Sequence, residues 1–461
     1  MEQRDTNYRY RQLAKIVVEA DGPIAIGSGS KNILTDAQVA RDVNGLPFIP
    51  ATSIAGVLRH ALNLNDDEDK IFGFQSANGG QGSEIIFTDA LMVGAEGKVI
   101  DGLAKIDWQN GFYRAYKELP IRQHVSLNEN GTSKSTGKFD NEVVYKGTRF
   151  VFEFEIYQKD QQSDAFNRIV AKLYDETLRI GGGAHCGYGK LKVVSCMTAS
   201  IDLANPEDLS NYVKKSSCLS ADWTCYKELK PTTAPDGTDG WTRYELQLSP
   251  CDFFMFGSGV GDDQADNVPM SEIVVEWNNS KPAIKENQVL IPATAVKGAL
   301  AHRTAYHYNR SQRLFVKNAD VDAPKLETDA TVGGNNPAVS AIFGMLSDQD
   351  GRTKPGSILL SDVIEGDMST KLFFHNKIDS FTGGTVDGAL FQEKSVWGKG
   401  KSYTLRILVQ NEALKEDSYR EAFEQSLRDL CSGMLPLGGV TNRGNGMFTG
   451  QLIKNGELCK Q

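Results

Sequence analysis

Long apolar runs are missing from this chain. No stretch approaches the roughly 20 apolar residues that span a membrane, and the start, MEQRDTNYRYRQ, is polar without an apolar core. Membrane insertion and secretion are therefore not expected, and a cytoplasmic location is. Cysteine is sparse. The seven cysteines, Cys186, Cys196, Cys218, Cys225, Cys251, Cys431 and Cys459, are odd in number, scattered and free of any CxxC pair. That fits reduced thiols better than a disulfide framework or a structural zinc site. His185 and Cys186, with Cys196, could contribute to a metal site, but the usual ligand spacing is missing. Net positive charge is also lacking: 50 Lys and Arg stand against 59 Asp and Glu, a balance of −9. A protein that coats duplex DNA non-specifically is disfavoured, whereas RNA held in a local basic groove is not.

What the chain does have is a duplication. Its 461 residues, 40% apolar and 24% charged, suit two globular domains of about two hundred residues each. The stretch GLPFIPATSIAGVLR (45–59) recurs as QVLIPATAVKGALAHR (288–303). Each copy reads as an apolar strand, an Ile-Pro turn, small hydroxyl residues and an amphipathic helix. Pro50 should end a strand at Ile49. Thr52 or Ser53 should cap a helix carrying Ile54, Val57, Leu58 and Leu62 on one face, and Pro292, Thr294, Val296, Leu300 and Tyr306 repeat that grammar. A helix opening straight out of a strand presents free backbone N–H groups, a ready anion site. Arg59 and Arg303 would add charge beside it. The plainer alternative is a strand–helix corner with a solvated arginine, and the repetition weighs against it.

The echoes continue in order, as an internal repeat requires. LAKIVVEA (13–20) and RYELQLSP (243–250) read as strands that open each half, and IFGF (71–74) with GSEIIFTDA (82–90) is answered by IFGM (342–345) with GSILLSDV (356–363). HVSLNENGTSKSTGKFDNEVVYKGTRFVFEFEI (124–156) parallels HNKIDSFTGGTVDGALFQEKSVWGKGKSYTLRIL (375–408) in its opening histidine, Gly-rich centre, aromatic Phe139 or Phe391, and final alternating strand. Between His124 and Phe139 the polar, Gly/Ser/Thr/Lys-rich stretch should form an exposed hairpin or finger. Each half then carries a helix, with Phe166, Ile169, Val170 and Leu173 or Phe423, Leu427, Leu430 and Cys431 on its apolar face. Glycine loops follow at 180–193 and 437–450. The order predicts an α+β fold of ferredoxin-like (RRM-like) units with insertions. The domains expected are residues 1–200, a connector at 201–240, and residues 241–461.

Gly182, Gly183, Gly187 and Gly189 do not form a dinucleotide fingerprint, since they follow a helix and precede a strand. They read either as a helix C-cap with a tight turn or as a place where a polynucleotide backbone approaches. In the second loop, Gly438, Gly439, Gly444 and Gly446 surround Asn442, Arg443 and Asn445, residue types suited to phosphate or base contacts. Tyr188 could stack on a base or simply pack.

These motifs, in this order, resemble the RAMP superfamily of CRISPR-associated proteins, and within it the backbone subunits of type III effector complexes. IPATSIAGVLR and IPATAVKGALAHR are similar to the family's helix start. A fused pair resembles the double-backbone protein of type III-D systems. The resemblance implies two tandem modules with thumb-hairpin insertions, at roughly His124–Phe139 and His375–Phe391, that bind CRISPR RNA and kink it. It implies other effector subunits and a paired target RNA as partners, and no small-molecule substrate. Residues implied in RNA binding are Ser53, Arg59, His124, Lys134, Lys138, Gly182, Gly183, Gly187, Tyr188 and Gly189 in the first half. In the second they are Lys297, Arg303, His375, Lys377, Gly438, Gly439, Asn442, Arg443, Gly444, Asn445 and Gly446. Ala55 stands where the second copy has Lys297, so the first cradle should be the less basic.

The family's cleaving aspartate lies in an Asp-x-x-Val-x-x-Asp context, which TDAQVARD (35–42) supplies as Asp36, Val39 and Asp42. A carboxylate there would bind a divalent ion such as Mg²⁺ or help activate the neighbouring 2′-hydroxyl. The second half departs from the pattern. Laying VPMSEIVVEW on the same register sets Met270 opposite Asp36 and Glu276 opposite Asp42, so the cleaving position is expected to be lost, with Asp262, Asp263 and Asp266 nearby as substitutes. A non-cleaving scaffold, or a guide-processing endoribonuclease using His124 or His185, are the other readings.

Overall fold

The computed structural model describes residues 8–29, 35–62, 71–76, 79–127, 133–160, 164–229, 240–314, 332–346 and 353–459. The chain folds as α+β, with antiparallel sheets and helices packed against them. In the first half the strand Tyr10–Ala20 pairs on one side with Arg149–Gln158 and on the other with Leu191–Asp202. In the second half Trp241–Pro250 pairs with Tyr403–Gln410 and Phe448–Lys454. Each opening strand is thus sandwiched between the strand after the hairpin and the strand after the glycine loop. The six strands occupy corresponding places in the two halves, all paired antiparallel.

Period-two alternation explains the faces. Ala14, Ile16, Val18 and Ala20 enter one core with Phe150, Phe152, Phe154 and Ile156, while Tyr244, Leu246 and Leu248 enter the other with Tyr403, Leu405, Ile407 and Val409. Helix Ala165–Leu173 buries Phe166, Ile169, Val170 and Leu173 against the first sheet, and Asp417–Cys431 buries Phe423, Leu427, Leu430 and Cys431 against the second. The organising helices run Ala51–Leu62 and Ala293–Ser311. Ile54 and Leu58 are buried in one; Val296, Leu300 and Thr304 are buried in the other. Tyr306, expected on that core face, is instead half exposed, because the longer helix turns Thr304 inward against Ser426.

The expected finger is a hairpin: Ile121–Leu127 pairs with Ser133–Glu142, and in the second half Thr370–His375 pairs with Phe391–Trp397. The connector expected at 201–240 is folded over its first part. Asn205 caps helix Pro206–Val213, and Lys227–Glu228 joins the edge of the first sheet beside Leu191–Asp202.

The two halves share a seam. The hairpin made by Ser271–Asn278 and Lys281–Ile291 lies against the first module, with the Val275 amide donating to Lys146 O at 2.9 Å and Trp277 Nε1 donating to Gly147 O at 2.7 Å. Gly147 sits at φ +87°, and any Cβ there would lie 1.8 Å from Val275 O. Only glycine fits that approach.

Candidate nucleic-acid interface

The two repeated helix starts are not open anion sites. The Ala51 amide donates to Asp89 Oδ1 at 2.7 Å, and the Ala293 amide donates to Asp362 Oδ1 at 2.7 Å. The aspartate of each repeated GS…D segment therefore caps the helix of the repeated Ile-Pro motif, as a carboxylate at a helix N-terminus does. Thr52 and Ser53 do not take that role: the Ser53 amide itself donates to Pro50 O at 2.9 Å. The signal in the sequence was the aspartate repeated at equal places in both halves.

The second start is covered as well. Gly187, at φ +100°, brings its backbone so close that a Cβ would lie 2.6 Å from Ala293 Cβ and 3.0 Å from Asp362 Oδ1. Lys297 Nζ donates to His185 O at 3.2 Å, and His185 Nδ1 lies 3.1 Å from Ile358 O. Burial lowers the Lys297 pKa and raises that of the Cys186 thiol. The first glycine loop thus docks on the second helix, and Lys297, His185 and Cys186 belong to that seam. Arg303 lies further along, bound to Asp429 at 2.5 Å and stacked over Tyr306. Beneath the seam Arg122, 4% exposed, bridges Glu272 at 2.8 Å and Asp362 at 3.3 Å. Nothing in the sequence pattern marks Arg122 or Glu272.

Each hairpin carries a histidine paired across the strands with a phenylalanine. His124 stacks on Phe139 with centroids 4.8 Å apart, and His375 on Phe391 at 4.9 Å. Tyr188 is 1% exposed, so it is no open stacking platform; its hydroxyl meets His124 Nε2 at 2.8 Å. Burial, and then Arg122, lowers the His124 pKa. His375 Nε2 lies 3.0 Å from Glu393, which also pairs with Arg443 at 3.3 Å. Arg443 caps the face of Phe391 at 4.9 Å, and Asn445 Nδ2 donates to Ser395 Oγ at 2.9 Å.

Lys138, Phe139, Lys377, Asn442, Arg443 and Arg59 are exposed, and Lys134 lies on the second hairpin strand. The second hairpin's end is built on Asp379, which accepts from the Phe381 and Thr382 amides at 3.0 and 2.7 Å, and Phe381 stands 97% exposed. The remaining glycines shape the loops. The Gly182 amide donates to Ala25 O and that of Gly439 to Met255 O, both at 2.7 Å; Gly183, Gly189, Gly438 and Gly446 all have positive φ.

Asp36 is exposed and reaches the hairpin: its Oδ2 accepts from the Asp140 amide at 3.2 Å, one residue from Phe139. Ala37 pairs with Asn141, and the Val39 amide donates to Glu142 at 2.8 Å. Asp42 hydrogen-bonds within its own turn. Its carboxylate accepts from the Asn44 and Leu46 amides at 2.8 and 2.9 Å and so builds the turn before the helix.

The register expected for the second half is corrected by the backbone pairing. Gly27 bridges Val39 and Gly257 bridges Pro269; Ala37 bridges Asn141 and Asn267 bridges Glu393. The Ala40 amide donates to Ile26 O as that of Met270 does to Phe256 O. Asp266 therefore stands opposite Asp36, and Glu272 opposite Asp42. Met270 and Glu276 do not hold those places, because the hairpin Ser271–Ile291 is inserted before the second helix and lengthens the segment leading to it.

A sequence model of the RAMP superfamily matches residues 17–192 and 275–449, well over half of the chain, and the protein belongs to that superfamily. No curated protein matches it. Proteins of this superfamily bind CRISPR RNA and act in multi-subunit complexes, which gives this chain a CRISPR-associated, RNA-binding role.

Proposed function

We propose that this protein is a cytoplasmic backbone subunit of a type III effector complex, of the double-backbone kind found in type III-D. It holds guide RNA in two ferredoxin-like modules, inserts its hairpins as thumbs, and cuts the paired target RNA at the first module. The observation that carries the reading is Asp36: an exposed carboxylate that accepts from the Asp140 amide of the hairpin strand, one residue from the stacked pair His124–Phe139. Guide contacts would come from exposed Lys138, Arg59, Lys377, Asn442 and Arg443, with backbone amides of the glycine loops. Lys297 and Arg303, half-buried and bonded to His185 O and Asp429, would act through the fold.

RNA supplies its own nucleophile. In the cut, the 2′-hydroxyl oxygen bonds to phosphorus while its proton passes to the Asp36 carboxylate. The bond from phosphorus to the 5′-oxygen breaks, and that oxygen takes a proton from water, leaving a 2′,3′-cyclic phosphate and a 5′-hydroxyl. Among the described residues no group of three or more His, Cys, Asp or Glu is placed to hold a metal ion. One exposed carboxylate suits only an ion shared with RNA, the way Mg²⁺ joins one or two carboxylates to phosphates. Bound there, Mg²⁺ would offset charge building on the phosphate oxygens.

Asp36→Ala, assembled with guide RNA, should slow one target cut by about 10²-fold or more while guide binding survives. An unchanged set of cleavage products would leave a non-cleaving scaffold as the better reading.

A further inference from the structure

We infer that the turn Gly398–Lys401 is a seat for a β-hairpin of a different protein, filled in the assembled complex as the matching turn of the first module is filled by the second. The inference stands on the repeat itself and holds whether or not Asp36 cuts.

The two turns match. The Thr148 amide donates to Tyr145 O at 3.3 Å and the Lys401 amide to Gly398 O at 3.0 Å, so each turn closes around a Lys-Gly pair. Gly147 and Gly400 stand at the same place with φ +87° and +83°, the left-handed region such a turn requires there. Each turn leads into the strand that pairs with its module's opening strand, Arg149–Gln158 or Tyr403–Gln410.

The first turn is occupied. Lys146 O accepts from the Val275 amide, Gly147 O accepts from the Trp277 indole, and Lys146 Nζ donates to Ile364 O at 3.4 Å. Val275 enters the first core, with Ile273, Trp277 and Ile284 packed against it. A hairpin of one module is thus built into the other. At the second turn the same three groups, Lys399 O, Gly400 O and Lys399 Nζ, have no hydrogen-bond partner among the described residues. Lys399 and Gly400 are exposed, whereas Gly147 is buried. A Cβ on Gly400 would meet nothing within 4 Å, and Trp397, just before the turn, is 38% exposed.

The donor is not a second copy of this chain. Each copy's hairpin Ser271–Ile291 is taken up by its own first module, and between Asp42 and the helix at Ala51 the first module has no such insert. What fits is an extended hairpin of another protein. It would bring N–H groups to Lys399 O and Gly400 O, a carbonyl or carboxylate to Lys399 Nζ, and an apolar side chain to Trp397. A nucleic-acid backbone fits less well, because its phosphates only accept hydrogen bonds and two of the three open groups also accept.

The test measures how fast acetic anhydride modifies Lys399 in three states: the free chain, the free chain with the RNA extracted from its complex, and the whole complex from the native host. Wild type is compared with Gly400→Asn. Asparagine tolerates positive φ and has room on the free chain, so the urea midpoint of Gly400→Asn should stay close to that of wild type. Gly147→Asn should unfold at lower urea, since its Cβ would lie 1.8 Å from Val275 O. In the whole complex Lys399 should react about 10-fold more slowly or less, and Gly400→Asn should restore the rate of the free chain. RNA alone should not protect it. Lys399 equally reactive in complex and free chain would overturn the inference. Protection by RNA alone would make the turn an RNA contact, and protection that survives Gly400→Asn would mean that the turn is not approached as Val275 approaches Gly147; either result overturns it too.

Discussion

Asp362 serves two elements at once. It caps the second organising helix through the Ala293 amide and shares Arg122 with Glu272 inside the seam. Two carboxylates facing one guanidinium carry a net negative charge in a dry site. Burial, partly offset by Arg122, pushes the Asp362 pKa up to about 6. The native state therefore keeps a proton that the unfolded chain gives up near pH 4. Stability from this group is whole below about pH 4 and is lost as pH rises through about 6, a change of about 2–3 kcal/mol. Asp362→Asn keeps the cap oxygen and cannot titrate. Urea midpoints measured from pH 4 to 7 should fall with pH less steeply in that variant than in wild type. Parallel curves would show that Asp362 is ionised throughout. The grouping of this triad was not legible in the sequence, because Arg122 lies 150 residues from Glu272 and 240 from Asp362. Local pattern carries no information at that range.

Among elements, the glycine loops show what repetition can and cannot reveal. Gly187 and Gly444 hold the same place in the two halves, at φ +100° and +93°, where a side chain costs about 1–2 kcal/mol. Their surroundings differ. A Cβ on Gly187 meets Ala293 and Asp362, while one on Gly444 meets nothing within 4 Å. Gly187→Ala should therefore lower stability by about 1–3 kcal/mol more than Gly444→Ala in equilibrium denaturation, the extra being overpacking at the seam. Equal losses would mean that the seam yields freely. Strand alternation and helix faces were readable because each follows from spacing within one element: Phe150, Phe152 and Phe154, or Phe423, Leu427 and Leu430, report their own burial. The caps were not, since Asp89 and Asp362 come from segments 38 and 69 residues beyond the amides they receive.

At the scale of the whole molecule, duplication fixes the plan and the seam breaks its symmetry. The first module's glycine loop covers the second helix start. By contrast the first start, with exposed Asp89, and the second loop, with open Gly444, have no such partner among the described residues. The order of the repeated segments foretold two like modules. It set Met270 rather than Asp266 in the place of Asp36, because the hairpin Ser271–Ile291 interrupts the repeat before the second helix. Nor does it foretell that Lys297 donates to His185 O across the seam.

The central claim, that both modules grip a guide, is tested most directly by isolating the protein from its native host and sequencing the RNA that comes with it. The expected result is RNA of defined length bearing CRISPR-repeat sequence at one end, protected by the protein across two successive segments. Protein that emerges free of RNA, or with RNA lacking repeat sequence, would contradict it.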